Sequence, residues 1–88
     1  MFSDKVKQYF TDIIDVPSPS GYESRCQKIF QTYALQFVDE VYEDNFGNIV
    51  AHKKNEGKPK LMLSAHIDEI GFVVKHIDDN GFVYILPI

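Results

Sequence analysis

The sequence predicts an α/β fold in which two helices pack on the first strands of a mixed sheet and a β hairpin follows. Apolar residues recur at helical spacing in the first 37 residues. From residue 38 onward, β-prone runs alternate with turn residues, and residues 71–88 have the pattern of a hairpin. A chain of 88 residues fits one domain or less and buries only ~60% of the surface that its unfolded form exposes.

The first predicted helix covers residues 3–15. Ser3 is its predicted N-cap, since a serine hydroxyl accepts a hydrogen bond from a free N–H of the first turn. Pro17 ends the helix, because the residue before a proline avoids helical angles. The apolar positions at helical spacing are Val6, Phe10, Ile13 and Ile14.

The second predicted helix follows a loop at residues 16–21. Ser20 and Glu23 have the S-x-x-E spacing of a capping box, in which each side chain satisfies a backbone N–H of the other residue. One face of this helix is apolar and is predicted to face the core. Its residues are Cys26, Ile29, Phe30, Tyr33, Ala34 and Phe37.

Three strands are predicted next, at residues 38–42, 48–52 and 60–65. The turn between the first two contains Asn and Gly, which tolerate positive φ. The third is a near-continuous apolar run, which is typical of a strand covered on both faces. After it, two β-prone runs flank Asn80-Gly81, a strong hairpin signal.

Composition excludes several classes of protein. Nine basic against 13 acidic residues provide no basic stripe for nucleic acid. A single cysteine, Cys26, rules out an internal disulfide and fits a reducing compartment. No apolar run approaches the ~20 residues that span a bilayer, and the first residues lack the layout of a signal peptide. The expected location is the cytoplasm, without a membrane partner.

The stretch at residues 64–71 follows the predicted buried strand and contains the candidate chemistry. His66 and Asp68 are two residues apart, so in extended backbone their side chains project from the same face. A neutral imidazole binds a divalent metal, and a carboxylate behind it fixes its tautomer. On its own, this short H-x-D pattern more often marks a surface hydrogen-bonding pair than a metal ligand. Glu69 fits a supporting acceptor, a salt-bridge partner or a solvated side chain.

The other candidates for chemistry have structural interpretations. His52 and His76 lie alone on predicted strands, with no ligand-spaced neighbour. Cys26 lies in an apolar stripe, where cysteine behaves as a small buried hydrophobe. The chain contains no Gly-rich phosphate loop.

Four stretches, in the same order and spacing, resemble the glutamyl and deblocking aminopeptidase family, and together they cover nearly the whole chain. The most specific is the metal motif, which reads A-H-I-D-E-I-G at residues 65–71. The four stretches are residues 16–23, 44–51, 59–72 and 77–82.

This resemblance implies a three-layer αβα metallopeptidase domain, of which residues 1–70 are the N-terminal part. Residues 71–88 would then form the first hairpin of an inserted β domain used for dimerisation. His66 corresponds to a ligand of one metal, and Asp68 to the catalytic-site carboxylate that supports this histidine. The family's remaining ligands and its glutamate base come after the inserted domain, past Ile88.

The resemblance also implies a mechanism and partners. Two divalent ions, zinc or cobalt, activate a water and hold the amine and carbonyl of a peptide substrate, while a glutamate transfers the proton. The family assembles into tetrahedral homo-oligomers. One histidine is too few for zinc, which generally takes three protein ligands or more, so the 88 residues alone are expected to be inactive.

Two alternatives stay open at the level of sequence. One is a stand-alone interaction module whose open β edges pair with another chain. The other is a different dinuclear metallohydrolase, such as a deacylase or an endoglucanase-labelled relative of the family. Substrate choice depends on residues that the four stretches do not contain.

Overall fold

The computed structural model describes all 88 residues and confirms the α/β class. Its strands form two separate two-stranded antiparallel sheets, β1–β2 and β3–β4, so the predicted mixed sheet is not observed. Both pairings are hairpins between neighbours in the chain. The elements in order are α1 (Asp4–Asp15), α2 (Ser24–Ala34), β1 (Glu40–Glu43), β2 (Ile49–His52), β3 (Phe72–Ile77) and β4 (Val83–Pro87).

Helix α1 begins and ends where its local sequence predicts. The Ser3 hydroxyl accepts a hydrogen bond from the backbone N–H of Val6 at 3.2 Å, which is the predicted N-cap. Val16 has extended angles (φ −91°, ψ 129°) and ends the helix directly before Pro17.

Helix α2 forms as predicted, but the capping box at its start is wrong. The N-cap is Glu23, which makes no side-chain capping hydrogen bond. Its carboxylate instead accepts from the N–H of Gly21 at 2.7 Å. The Ser20 hydroxyl donates to Asp68, a residue 48 positions away. The Ser20 hydroxyl is engaged in a tertiary hydrogen bond and does not cap the helix. Both side chains instead stabilise the loop before it.

The small core lies between the two helices. Cys26 is almost fully buried, with its sulfur 3.9 Å from the carbonyl oxygen of Ile13, as expected for a small hydrophobe. The rings of Tyr9 and Tyr33 stack at 4.0 Å between centroids. Phe37 follows the end of the helix and is half exposed, so the predicted apolar stripe stops short of it.

The two hairpins have the same turn. In the first, the Asp44 carboxylate accepts from the N–H groups of Phe46 and Asn48, both at 2.9 Å. In the second, Asp78 accepts from Asn80 and Phe82 at the same distances.

Glycine is the only residue with positive φ in either turn, at Gly47 (84°) and Gly81 (85°). The Asn80-Gly81 pair therefore marks the hairpin correctly, but it does not form a type I′ turn, which needs two such residues. The amide of Gln27 donates to the Gly47 carbonyl at 2.7 Å and ties α2 to the first hairpin.

The strand predicted at residues 60–65 is not formed, and this prediction is wrong for the chain as it stands. Leu61, Met62 and Leu63 are 85–88% exposed. A strand needs hydrogen-bonding neighbours, and this type of apolar strand also needs cover on both faces. The 88 residues supply neither beside this segment.

The chain as a whole is open. Its radius of gyration is 17.6 Å, against about 12 Å for a compact domain of this length. It exposes 7908 Å², whereas a compact monomer of this mass exposes about 5,300 Å². No helix is both long and apolar enough to cross a lipid bilayer.

The turn of the first hairpin is predicted to weaken in acid. The pKa of Asp44 lies below its ordinary value of 3.8, chiefly because the Asn48 side chain donates to the carboxylate. A lowered pKa stabilises the folded turn at every pH above about 4, and this contribution is lost as the pH falls through the folded-state pKa. Amide exchange of Asn48, followed by NMR from pH 6 to pH 2.5, should show protection decreasing below pH 4.

The Asp44→Ala variant should show low protection of this amide throughout that pH range. Asp79→Ala removes a carboxylate that makes no hydrogen bond in the other turn and is the matched control. Unchanged protection of Asn48 in Asp44→Ala would contradict this account.

Candidate functional site

Two segments distant in sequence meet at the candidate site. We call residues 16–23 the proline loop and residues 64–71 the histidine segment. The Glu69 N–H donates to the Ser18 carbonyl at 2.8 Å, and the Ser18 N–H donates to the Glu69 carboxylate at 2.8 Å. The Ser18 hydroxyl donates to the Ile67 carbonyl at 2.9 Å, and Ser18 is 2% exposed. The N–H, the carbonyl and the hydroxyl of this buried serine are therefore all hydrogen-bonded to the histidine segment.

The structure brings His66 and Asp68 together. The Nδ1 atom of His66 lies 2.7 Å from Oδ1 of Asp68. The imidazole is 86% exposed and the carboxylate 34% exposed. The other oxygen of Asp68, Oδ2, accepts a hydrogen bond from the Ser20 hydroxyl. The H-x-D pair therefore has the mutual geometry that its spacing predicts, while the roles of both residues stay predictions.

Electrostatics favour the ionised form of Asp68. The hydrogen bond from Ser20 and then that from His66 hold the pKa of this carboxyl below its ordinary value. An ionised carboxylate only accepts hydrogen bonds, so the proton in the pair lies on Nδ1 of His66. In the neutral ring, Nε2 then carries a free lone pair, which is the form of imidazole that binds a metal.

Glu69 serves the backbone. Its carboxylate accepts a hydrogen bond from the N–H of Ser18, so it supports the backbone of the proline loop and makes no hydrogen bond with the His66 ring. It forms no salt bridge. Ser18 and Ser20 are the site residues that sequence reasoning missed. Both lie in a stretch that the family resemblance includes, but Ser20 was assigned to the capping box and nothing local marks Ser18.

The chain supplies one metal-competent imidazole and no complete site. No three His, Cys, Asp or Glu side chains are grouped so that they could hold an ion. His52 pairs with Glu40 at 2.9 Å, and the His76 ring lies beside the Tyr84 ring at 5.8 Å between centroids. Both histidines therefore have local partners on their hairpins, in agreement with a structural interpretation.

A glycine allows the proline loop and the histidine segment to approach closely. A Cβ atom added at Gly71 would lie 2.6 Å from Cβ of Pro19, well inside van der Waals contact. The Gly71 carbonyl also accepts from the N–H of Ile88 at 3.1 Å, which connects this contact to the end of the second hairpin.

The fold is that of an aminopeptidase N-terminal region. The structure superposes on a TET aminopeptidase from the marine sediment archaeon Thaumarchaeota archaeon SCGC AB-539-E09 with a TM-score of 0.82 and 27% identity. The match covers 96% of this chain and 23% of the archaeal one.

Sequence comparison points to the same class of protein. Residues 47–88 match the model of the M42 glutamyl aminopeptidases. The chain is 43% identical over 77 residues to the lysyl aminopeptidase of Pyrococcus furiosus, a match covering 86% of this chain and 22% of that protein. The chain therefore resembles the M42 glutamyl aminopeptidases over most of its length, which confirms the predicted resemblance, and it spans about a fifth of the length of the curated relatives that it matches.

One relative has a different name. The chain is 31% identical to a putative [LysW]-lysine/[LysW]-ornithine hydrolase of Pyrococcus horikoshii, over 89% of this chain and 24% of that protein. Likeness in this region therefore extends to hydrolases that are not named aminopeptidases.

The Gly71→Ala substitution is predicted to separate the proline loop from the histidine segment. The added methyl group collides with the Pro19 ring, and overpacking of this kind costs about 1–3 kcal/mol. We expect the free energy of local opening, measured by amide exchange at Glu69, to fall by about that amount.

Gly57→Ala is the control for this prediction, because its methyl group would enter open space in a distant turn. An alanine at φ 65° strains the backbone of that distant turn only, so the exchange of the Glu69 amide should be unchanged. Equal protection of Glu69 in Gly71→Ala and in the unsubstituted chain would show that the close approach is not needed.

Proposed function

We propose that this chain contributes the first metal ligand, His66, to an aminopeptidase that removes N-terminal residues from peptides. Asp68 would be the carboxylate that orients this ligand. The observation that carries the proposal is the 2.7 Å contact between Nδ1 of His66 and Oδ1 of Asp68, on a ring that is otherwise exposed. A hydrogen bond at Nδ1 directs the other nitrogen of the ring towards an ion.

The donor set fits one part of a divalent metal site. Imidazole suits zinc and cobalt, the two metals that we propose, with two ions in the complete site. Bound metals of this kind supply Lewis-acid activation of water and of the scissile carbonyl. Because zinc generally takes at least three protein ligands, the other ligands must come from residues other than those of this chain. We therefore expect the 88 residues alone to be inactive.

A division into two domains follows from the same proposal. Residues 1–70 would belong to the catalytic domain, and residues 71–88 would begin an inserted β domain involved in homo-oligomer formation. In support, β3 and β4 form a sheet of their own, hydrogen-bonded to neither β1 nor β2. The substrate would be a peptide in the cytoplasm, with no role for nucleic acid or membrane.

A second candidate is a hydrolase of a [LysW]-linked lysine or ornithine substrate. Its support is the likeness to the [LysW]-lysine/[LysW]-ornithine hydrolase. The paired His66 and Asp68 would have the same roles in both reactions if each is a metal-assisted hydrolysis. Comparing hydrolysis of a peptide with hydrolysis of a [LysW]-linked substrate would distinguish the two.

A chimera tests the proposed roles. This chain would replace the matching segment of the Pyrococcus furiosus lysyl aminopeptidase, and hydrolysis of lysyl anilide would be measured with added zinc or cobalt. We expect an active chimera, a loss of more than about 100-fold in His66→Ala, and a loss of about 10- to 100-fold in Asp68→Ala. The second range is that of other carboxylates behind metal-bound histidines.

His52→Ala is the matched control, because His52 is an exposed histidine with a carboxylate partner of its own on the first hairpin. This variant should retain the activity of the chimera. Metal content should decrease in His66→Ala and stay constant in His52→Ala. Full activity of the His66→Ala chimera would refute the proposed function.

A further inference from the structure

The two carboxylate oxygens of Asp68 are hydrogen-bonded by two residues that lie far from each other in the sequence. His66 approaches Oδ1 from within the histidine segment, and the Ser20 hydroxyl reaches Oδ2 from the proline loop. We infer that Ser20 is a positioning residue, whose hydroxyl sets the Asp68 carboxylate so that the imidazole is held with Nε2 free. The inference rests on the proposed function in so far as His66 is a ligand.

The hydrogen bond between His66 and Asp68 does not by itself fix the orientation of either side chain. The imidazole is 86% exposed, so nothing packs against the ring to select one rotamer. A carboxylate also has two equivalent oxygens and rotates readily about its last torsion. A second hydrogen bond at Oδ2 removes this freedom, because it commits that oxygen to Ser20 and leaves Oδ1 for the histidine.

The position of Ser20 is itself fixed by the backbone. Two residues earlier, the buried Ser18 binds the histidine segment through its N–H, its carbonyl and its hydroxyl. The isolated parallel bridge between Pro19 and Glu69 continues this contact. These contacts therefore determine where the Ser20 hydroxyl lies relative to Asp68.

The competing role for Ser20 is helix capping, and the structure assigns that role elsewhere. Helix α2 begins at Ser24, and its N-cap is Glu23. The N–H of Gly21, next to Ser20, is satisfied by the Glu23 carboxylate. The Ser20 side chain has one hydrogen bond in the structure, the one it donates to Asp68.

The test compares Ser20→Thr with Ser20→Val in the 88-residue chain labelled with 15N. Threonine and valine have similar shapes, and only threonine keeps a hydroxyl, so any effect of branching on the loop is common to both. Long-range 1H–15N NMR spectra at pH 8 report which nitrogen of His66 carries the proton. Ser20→Thr should keep the Nδ1–H form, and Ser20→Val should lower its ratio to the Nε2–H form by about two- to tenfold, the range for one net hydrogen bond.

Ser24→Ala is the control, because Ser24 is an exposed serine nearby that makes no side-chain hydrogen bond. It should leave the His66 ratio unchanged. Amide exchange at Glu69 reports whether the proline loop still contacts the histidine segment in each variant. Equal ratios in the threonine and valine variants would overturn the inference, whatever happens at Glu69.

The outcome is independent of the proposed function. The NMR ratio needs neither metal nor substrate, so a shift in Ser20→Val establishes the positioning role even if the His66→Ala chimera stays active. Conversely, an inactive His66→Ala chimera together with equal tautomer ratios would support His66 as a metal ligand and refute the positioning role of Ser20.

Discussion

The hydrogen bonds between the proline loop and the histidine segment are the constraint on which the site depends. Ser18 contributes three of them and is the one polar residue buried in the chain. They join residues 49 to 51 positions apart, whereas each sheet joins only neighbouring strands. Loss of one of these bonds would leave a buried polar group unpaired, which costs about 1–3 kcal/mol. A partly formed contact is therefore strongly disfavoured. Without this contact, little more than the covalent chain would connect the helices to the second hairpin.

The openness of the chain and the incompleteness of the site have the same physical origin. The apolar segment from Leu61 to Leu63 leads directly into His66 and has neither cover nor hydrogen-bonding neighbours. An imidazole at the end of such a segment is exposed because no further ligands or walls surround it. Burial of this segment by additional strands and helices would enclose the histidine in the same step. Under the proposed function, the stability of the chain and the number of metal ligands would therefore both depend on such cover.

Local patterns predicted the parts of the fold that local forces decide. Helix α1, its Ser3 cap, the buried Cys26, the second hairpin and the two strands and turn of the first follow from spacing and turn chemistry within a few residues. The capping box failed because Ser20 had a better acceptor in Asp68, 48 residues away, which no short window contains. The strand at residues 60–65 failed because apolar character indicates the need for cover without showing that cover is present.

The same division explains what could be predicted of the site. The pairing of His66 with Asp68 depends on a two-residue spacing, so sequence alone indicated it. The orientation of that pair depends on Ser20 and on the backbone contact at Ser18, which only the fold reveals. These hydrogen bonds come from the chain's own groups, and they favour the Nδ1–H form of the ring, which leaves Nε2 free. Under the proposed function, the orientation of His66 as a ligand would therefore be coupled to formation of the loop contact.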